Sequence, residues 1–281
     1  MQKRIALIGL GEAGTAFAPG LSALRTCFDI DPAHGRIDGV RRATSVEKAL
    51  AGVEAALSLV TADQALAAAM AAAPHLSPGA LWFDMNSVAP ATKRAAAALI
   101  EAAGGRYVDV AVMAPVHPAR TGVPLLLSGA HAEAGAQTLR AIGFSTVRVV
   151  AGAVGRASSI KMIRSVMVKG IEALTAECVL AAARADVLDE VLGSLDASPA
   201  PDIWAERADY NVGRMLQHGL RRAAEMEEVV RTLDALGTGT AMSRATAIRQ
   251  HEMGRLGGMP APAGLAAKLA LINSAREVEA A

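Results

Sequence analysis

Aromatic side chains are scarce, with two Trp, two Tyr and four Phe among 281 residues. Single-stranded nucleic acid is held by stacking bases on such rings, and duplexes are held by an excess of Lys and Arg over acidic residues. Here 28 Lys and Arg face 27 Asp and Glu, so nucleic acid is an unsuitable partner. Cysteine is nearly missing too. Cys27 and Cys178 lie in apolar surroundings, which gives neither a disulfide framework nor a thiolate metal site and fits a reducing cytoplasm. Long apolar runs are also lacking. The Ala-rich stretch from Ala65 to Ala73 falls short of the roughly 18–20 uninterrupted apolar residues that span a bilayer, so a soluble protein without membrane contact is expected. The start Met-Gln-Lys-Arg precedes a short apolar run that enters glycines rather than a cleavage site, and reads as a first strand rather than a signal peptide. His251-Glu252-Met253-Gly254 lacks the second histidine of a zinc-binding helix and the other histidines are scattered, so no metal is expected.

What the chain has in quantity is small and aliphatic side chains: 52% of its residues are hydrophobic, enough to bury a full core, and the length suits two domains. The apolar segment Arg4-Ile-Ala-Leu-Ile runs into Gly9-Leu10-Gly11-Glu12-Ala13-Gly14. Each glycine has a physical task in a dinucleotide loop. Gly9 permits the tight turn, Gly11 lets the backbone approach a pyrophosphate, and Gly14 lets helix and strand pack closely. A lone glycine pattern of this kind is weak, but Asp29 follows Gly9 by 20 positions at the end of a second apolar run. A carboxylate there hydrogen-bonds the adenosine ribose hydroxyls and repels a 2′-phosphate, so NAD is favoured over NADP. Arg36, Arg41 and Arg42 lie close enough in sequence to keep NADP open.

Up to about residue 150, short β-rich runs alternate with Ala-rich segments of helical period. The expected strands are 5–8, 26–29, 55–60, 81–84, 107–112, 125–128 and 146–150. Such alternation predicts an α/β fold, a Rossmann-type doubly wound, mostly parallel sheet over residues 1–152. Pro19-Gly20 stands where the first crossover helix would continue, so that helix must be short or kinked. After Gly155 the strands stop. Ser158 to about Arg184 reads as one long helix, apolar nearly all round and hence buried, and further helices are broken at Ser198–Pro201, Gly237–Gly239 and Gly257–Pro262. Residues 153–281 are therefore expected to form an all-helical domain for substrate and dimerisation. A cofactor domain followed by a helical one places a cleft between them, the usual setting of a small-molecule site.

Lys161 is the first candidate for chemistry. At helical spacing Lys161, Arg164, Ser165 and Lys169 share a polar stripe on an otherwise apolar helix, where a solvated face is the competing explanation. Oxidising an alcohol needs one group to take the hydroxyl proton while the hydride leaves. Burial, a cationic nicotinamide and Arg164 would each disfavour the ammonium and bring its pKa toward neutrality, where acid–base catalysis is most effective. Asn86 and Ser87 follow the strand ending at Asp84, at the expected cleft edge, where they can hold the nicotinamide carboxamide or its ribose; turn formation is the competing role. Thr61 has a similar place after the strand from Ala55.

Taken together these segments resemble the β-hydroxyacid dehydrogenases, which include 3-hydroxyisobutyrate dehydrogenase and 6-phosphogluconate dehydrogenase. The resemblance covers nearly the whole chain: the glycine loop, Asp29-Ile-Asp-Pro32, Asp84-Met-Asn-Ser87-Val-Ala-Pro90, the substrate segment from Asp109 through Met113, His117 and Arg120 to Gly122, and the glycine-rich approach Gly152 to Lys161. It implies that Lys161 is the catalytic acid–base group. The departures matter equally. Met113-Ala114-Pro115 stands where the family has Ser-Gly-Gly to hold a carboxylate, which removes a hydroxyl and, at Pro115, a backbone N–H. Ser165 stands where the family has asparagine, and a second family lysine is absent; near its place is His218-Gly-Leu-Arg221-Arg222-Ala-Ala-Glu225. Arg164 with Arg222 or His218 is therefore expected to anchor the anionic substrate instead, unless the 218–225 stripe simply faces solvent. The chain looks like a less characterised branch with a phosphogluconate-dehydrogenase-like C-terminal domain.

The expected activity is NAD(P)-dependent interconversion of an alcohol, a small hydroxy acid, and a carbonyl compound, by a cytoplasmic homodimer joined through its helical domain. Two rivals stay open, an imine reductase using the same cofactor domain and a non-catalytic NAD(H)-binding regulator. An S-adenosylmethionine-dependent transferase using a glycine loop finds little support in the lysine motif.

Overall fold

The computed structural model describes residues 4–34, 37–197, 203–257 and 260–279. Contacts divide the chain into two units, Met1–Val166 and Met167–Ala281. The first contains β1 (Ile5–Ile8), α1 (Glu12–Phe17), β2 (Leu24–Phe28), β3 (Arg41–Arg42), α2 (Val46–Leu50), β4 (Ala55–Ser58), α3 (Ala65–Ala72), β5 (Leu81–Asp84), α4 (Pro90–Ala102), β6 (Arg106–Val112), β7 (Leu125–Ser128), α5 (Ala132–Ala141), β8 (Val147–Val149) and the start of α6 (Arg156–Arg184). The division falls inside α6, beyond Lys161.

Eight strands form one sheet in the order β3-β2-β1-β4-β5-β6-β7-β8, parallel except where β7 runs against β6. This is the doubly wound Rossmann-type sheet expected from the alternating pattern. The central strands are buried on both faces, as parallel strands covered by helices must be, and alternate residues feed two separate cores. Ile5, Leu7, Leu57, Phe83 and Val108 pack on one face. Ala6, Ile8, Ala56, Trp82 and Tyr107 pack on the other. Strand order reverses between β1 and its neighbours β2 and β4, the point where open α/β sheets form a ligand crevice. Helix α1 stops at Phe17 and tightens into a 3-10 turn over Ala18–Gly20, the short first helix that Pro19 dictates.

The second unit holds the rest of α6, then α7 (Leu188–Asp196), α8 (Trp204–Leu236), α9 (Ala241–Leu256) and α10 (Leu265–Glu279). Gly237, at φ +67°, ends α8 with a left-handed cap, its N–H donating to Asp234 while that of Thr238 donates to Leu233. Residue 198–201 of the expected breaks lies outside the described residues. Helices α8 and α9 touch backbone to backbone: a Cβ on Gly219 would stand 2.3 Å from the Gln250 carbonyl oxygen, and one on Gly254 only 2.4 Å from the Leu220 nitrogen. The start of α9 is held by Glu177 of α6, whose carboxylate accepts from the Met242 N–H at 2.9 Å, the Ser243 N–H at 2.8 Å and the Ser243 hydroxyl at 2.6 Å. Desolvation would raise the pKa of Glu177, but these hydrogen bonds outweigh it and hold the carboxyl below its ordinary value.

Replacing Gly254 by alanine is expected to lower stability by about 2–3 kcal/mol, because neither backbone can recede without breaking helical hydrogen bonds. Gly193 of α7 has no heavy atom within 4 Å of an added Cβ, so Gly193→Ala is expected to stabilise by about 0.5–1 kcal/mol. Urea denaturation of the two variants checks the contrast; equal midpoints would show that the α8–α9 contact is not tight.

One expectation fails within the single chain. Helix α6 is not buried all round: Ile163, Met167, Ile171 and Leu174 are exposed, Ile163 by 71%. An all-round apolar helix needs cover on every side, and one chain leaves this face without it.

Candidate active site

At the carboxyl end of β1 the chain makes the glycine loop. Gly9 has φ +98°, and a Cβ there would lie 2.3 Å from the Leu59 carbonyl oxygen at the end of β4. Gly14 faces the Gly9 carbonyl oxygen so closely that a Cβ would come within 2.1 Å of it. Gly11 differs, since a Cβ there would meet nothing within 4 Å. Two glycines therefore shape the loop, while the third keeps open the space at the N-cap of α1, where first-turn N–H groups have no intrahelical acceptor. Of the other residues of the hexapeptide, Leu10 is buried, Ala13 packs on the core and Glu12 is exposed.

A cavity of about 470 Å³ opens beside this loop, lined by Gly9, Gly11, Asp29, His34, Val60 and Thr61 among others. That volume suits a nucleotide-sized ligand. Asp29 Oδ2 accepts the Leu10 N–H at 2.6 Å and lies 2.9 Å from His34 Nδ1, while Oδ1 accepts the Asp31 N–H at 2.8 Å. Burial alone would raise its pKa; the two N–H groups and His34 outweigh that and hold Asp29 below its ordinary value, ionised at neutral pH. The carboxylate thus ties the glycine loop to the β2 end. Arg42 donates to the carbonyl oxygens of His34 and, at 2.8 Å, of Asp31; Arg41 donates to that of Lys48 at 3.1 Å. Both arginines brace the backbone around the cavity. Arg36 lies outside the described residues.

The ionised carboxylate in the cavity lining would repel a second anion placed beside it, such as the 2′-phosphate of NADP. Asp29→Asn keeps an acceptor for the Leu10 N–H and removes the charge, so the ratio of kcat/KM with NADP to that with NAD is expected to rise about tenfold. An unchanged ratio would show that the charge does not select the cofactor.

The β5 end carries Asn86 and Ser87. Asn86 is buried: its Oδ1 accepts the Val60 N–H at 2.8 Å and its Nδ2 donates to Ser58 Oγ at 3.1 Å, joining the ends of β4 and β5. Ser87 is exposed, and its Oγ accepts from Lys161 Nζ at 2.5 Å. The fold therefore brings together two candidates 74 positions apart in sequence. Lys161 is half-buried in the single chain, Arg164 one turn on is exposed, and Ser165 donates its hydroxyl back to the Lys161 carbonyl at 3.0 Å. Met113 is half-buried against Ala111, Leu126 and Ala157 beside Ile160, while His117 is exposed. In the helical unit His218 and Arg222 are half-buried and Arg221 is exposed. The side chains of Lys169 and Glu225 lie outside the described residues.

Sequence reasoning missed a buried polar cluster around Asp84 and Asp109. Lys93 of α4 is fully buried, with its Nζ 2.5 Å from the Asp84 carbonyl oxygen, 2.9 Å from Asp84 Oδ1 and 3.6 Å from Asp109 Oδ1. Tyr107 donates its hydroxyl to Asp84 Oδ2 at 2.6 Å, and burial together with the Asp84 charge pushes its pKa far above the usual phenol range. The signal was there: Lys93 shares the α4 face of Ala96, Ala97 and Ile100, all buried. Among the described residues no group of three or more His, Cys, Asp or Glu is placed to hold a metal ion, and no helix is long and apolar enough to cross a membrane.

The profile of the NAD binding domain of 6-phosphogluconate dehydrogenase matches residues 4–152, and that of a domain of unknown function (DUF1932) matches residues 182–253. No curated protein matches the chain. A conserved hypothetical protein from Sinorhizobium meliloti 1021 is similar at 36% identity over 98% of this chain and 97% of its own, with a TM-score of 0.58. The conserved protein MTH1747, of unknown function and described as structurally similar to 3-hydroxyacid dehydrogenases, is 27% identical over 90% of this chain and 97% of its own, with a TM-score of 0.55. An imine reductase from Myxococcus stipitatus in complex with NADP+ shares the fold at 17% identity, covering 96% and 99% of the two chains with a TM-score of 0.76. With a profile match over more than half its length, the chain belongs to the NAD(P)-binding family of 6-phosphogluconate dehydrogenase, in a branch that carries the DUF1932 domain.

Proposed function

We propose that this protein is an NAD(P)-dependent oxidoreductase that interconverts a small hydroxy acid and its carbonyl compound, with Lys161 as the proton acceptor and donor. The observation that carries the reading is the 2.5 Å hydrogen bond from Lys161 Nζ to Ser87 Oγ, which holds an amine beside the segment following β5. The likeness to 3-hydroxyacid dehydrogenases for which MTH1747 is described supports the substrate class. The glycine loop, Asp29 and Thr61 hold the cofactor, which supplies the hydride acceptor for oxidation and the donor for reduction. As an amine, Lys161 takes the hydroxyl proton of the substrate; as an ammonium it returns that proton to the carbonyl oxygen. Ser87 aims the nitrogen by accepting one of its hydrogens. Arg164 offers a charged anchor for the carboxylate, and Met113, His117 and Ser165 complete the substrate set of the first unit; in the helical unit Arg222 or His218 is the candidate anchor.

Residues 153–281 serve in this reading as the substrate and dimerisation domain of a cytoplasmic homodimer. The exposed Ile163, Met167, Ile171 and Leu174 recur at helical spacing on α6 and supply an apolar face for a second copy.

The test is a turnover screen followed by nicotinamide absorbance. Hydroxy acids and neutral alcohols of equal size are offered with NAD or NADP, and cyclic imines with the reduced cofactors. Turnover of hydroxy acids above the neutral alcohols supports the proposal. Turnover of imines alone would assign C=N reduction instead, and cofactor binding with no turnover on any class would assign a sensor.

A further inference from the structure

We propose that the buried cluster of Lys93, Asp84 and Asp109 is a positioning device that sets the distance between Ser87 and Lys161; its catalytic consequence rests on the function proposed above. Two arms leave the Lys93 ammonium. Along one, Asp84 Oδ1, 2.9 Å from Lys93 Nζ, also accepts the Asn86 N–H at 3.0 Å, and Asn86 immediately precedes Ser87. Along the other, Asp109 Oδ1 lies 3.6 Å from the same nitrogen. The second oxygen of that carboxylate, Oδ2, accepts the Gly155 N–H at 3.0 Å, the Ser158 N–H at 3.2 Å, the Ser158 hydroxyl at 3.2 Å and the Ser128 hydroxyl at 3.0 Å. Ser128 Oγ in turn accepts the Ala157 N–H at 3.0 Å. Asp109 thereby fixes the first turn of α6, and Lys161 stands one turn further along that helix.

Both partners of the Lys161–Ser87 hydrogen bond are thus tied to one ammonium, each through a carboxylate. The tie is rigid because it is dry: Lys93 and Asp109 are fully buried and Asp84 nearly so. Buried charges of this kind hold their geometry tightly, since any displacement leaves a carboxylate without its counter-charge. A cluster serving stability alone would need no link to these two segments in particular.

The experiment acetylates the full-length chain with limiting acetic anhydride and reads each lysine by mass spectrometry, with the exposed Lys48 as internal reference. Lys93→Met and Ser158→Ala are compared with the parent chain, and folding is checked by circular dichroism. Loosening either arm releases Lys161 from Ser87, so its labelling relative to Lys48 is expected to rise about fivefold, the scale of one lost hydrogen bond. Kcat is expected to fall about tenfold or more, with the cofactor Kd unchanged. If Lys93→Met does not fold, Ser158→Ala decides alone, because it removes one hydroxyl from the Asp109 arm and leaves every charge paired. Unchanged Lys161 labelling in a folded variant overturns the proposal, whatever happens to turnover, and so does a uniform rise at all lysines. Labelling needs no substrate, so a Lys161→Ala chain that still turns over would sink the catalytic assignment and leave this coupling measurable.

Discussion

Replacing Lys161 by alanine is expected to lower kcat by about a hundredfold to ten-thousandfold, the span that a positioned acid–base group contributes. Cofactor affinity should stay within about twofold, because the glycine loop and Asp29 lie at the β1 and β2 ends, whereas Lys161 donates to Ser87 after β5. Ser87→Ala should cost less, about tenfold in kcat, since it removes the group that aims the amine and spares the amine itself. The pH profile separates the two effects. Losing the titrating group flattens one limb of the kcat/KM curve, whereas losing only its aim lowers the curve at all pH values. Steady-state kinetics with a hydroxy acid across pH checks this, and parent-like turnover in Lys161→Ala would mean that the proton leaves by another group.

Gly9→Ala and Gly11→Ala are expected to fail in different ways, although both remove a glycine from one loop. At Gly9 an alanine must adopt φ +98° with its Cβ 2.3 Å from a carbonyl oxygen of the neighbouring strand end. The combined strain costs on the order of 3 kcal/mol and distorts the loop, so both stability and cofactor binding fall, the latter more than about a hundredfold. At Gly11 an added Cβ meets nothing within 4 Å of protein. Its φ of −66° suits any residue, so stability should change by less than about 0.5 kcal/mol while the methyl group occupies the space a pyrophosphate needs. Thermal unfolding and cofactor fluorescence titration, run on both variants, check the contrast. Full cofactor affinity in folded Gly11→Ala would remove the pyrophosphate from that place.

These differences show which parts of the molecule could be read from sequence. Where the backbone demands a residue type, the sequence displays the demand: Gly9 and Pro19 mark conformations that few other residues adopt and Gly14 a close approach that admits no side chain, and the loop and the short α1 were legible from them. The sheet was legible because its buried strands are mostly apolar, although strand ends shifted by one or two residues. The edge strand Arg41–Arg42 was not, being two residues long and charged on an unpaired edge, where strand composition carries no signal. Lys93 was hidden for another reason. It stands beside the exposed Arg94 on an Ala-rich helix, where a Lys-Arg pair reads as a solvated face, and only its register with Ala96, Ala97 and Ile100 betrays a buried amine. The opposite error arose on α6, whose apolar surround implies burial that a single chain does not provide.

The phenol of Tyr107 gives the protein an optical gauge of its own integrity. The chain has two tyrosines, and Tyr107 is fully buried with its proton committed to Asp84, while Tyr210 is exposed. Tyr107 therefore keeps its proton in alkali for as long as the sheet stays closed. Its tyrosinate absorbance appears only when the strands part, so that signal marks collapse of the first unit without any added dye.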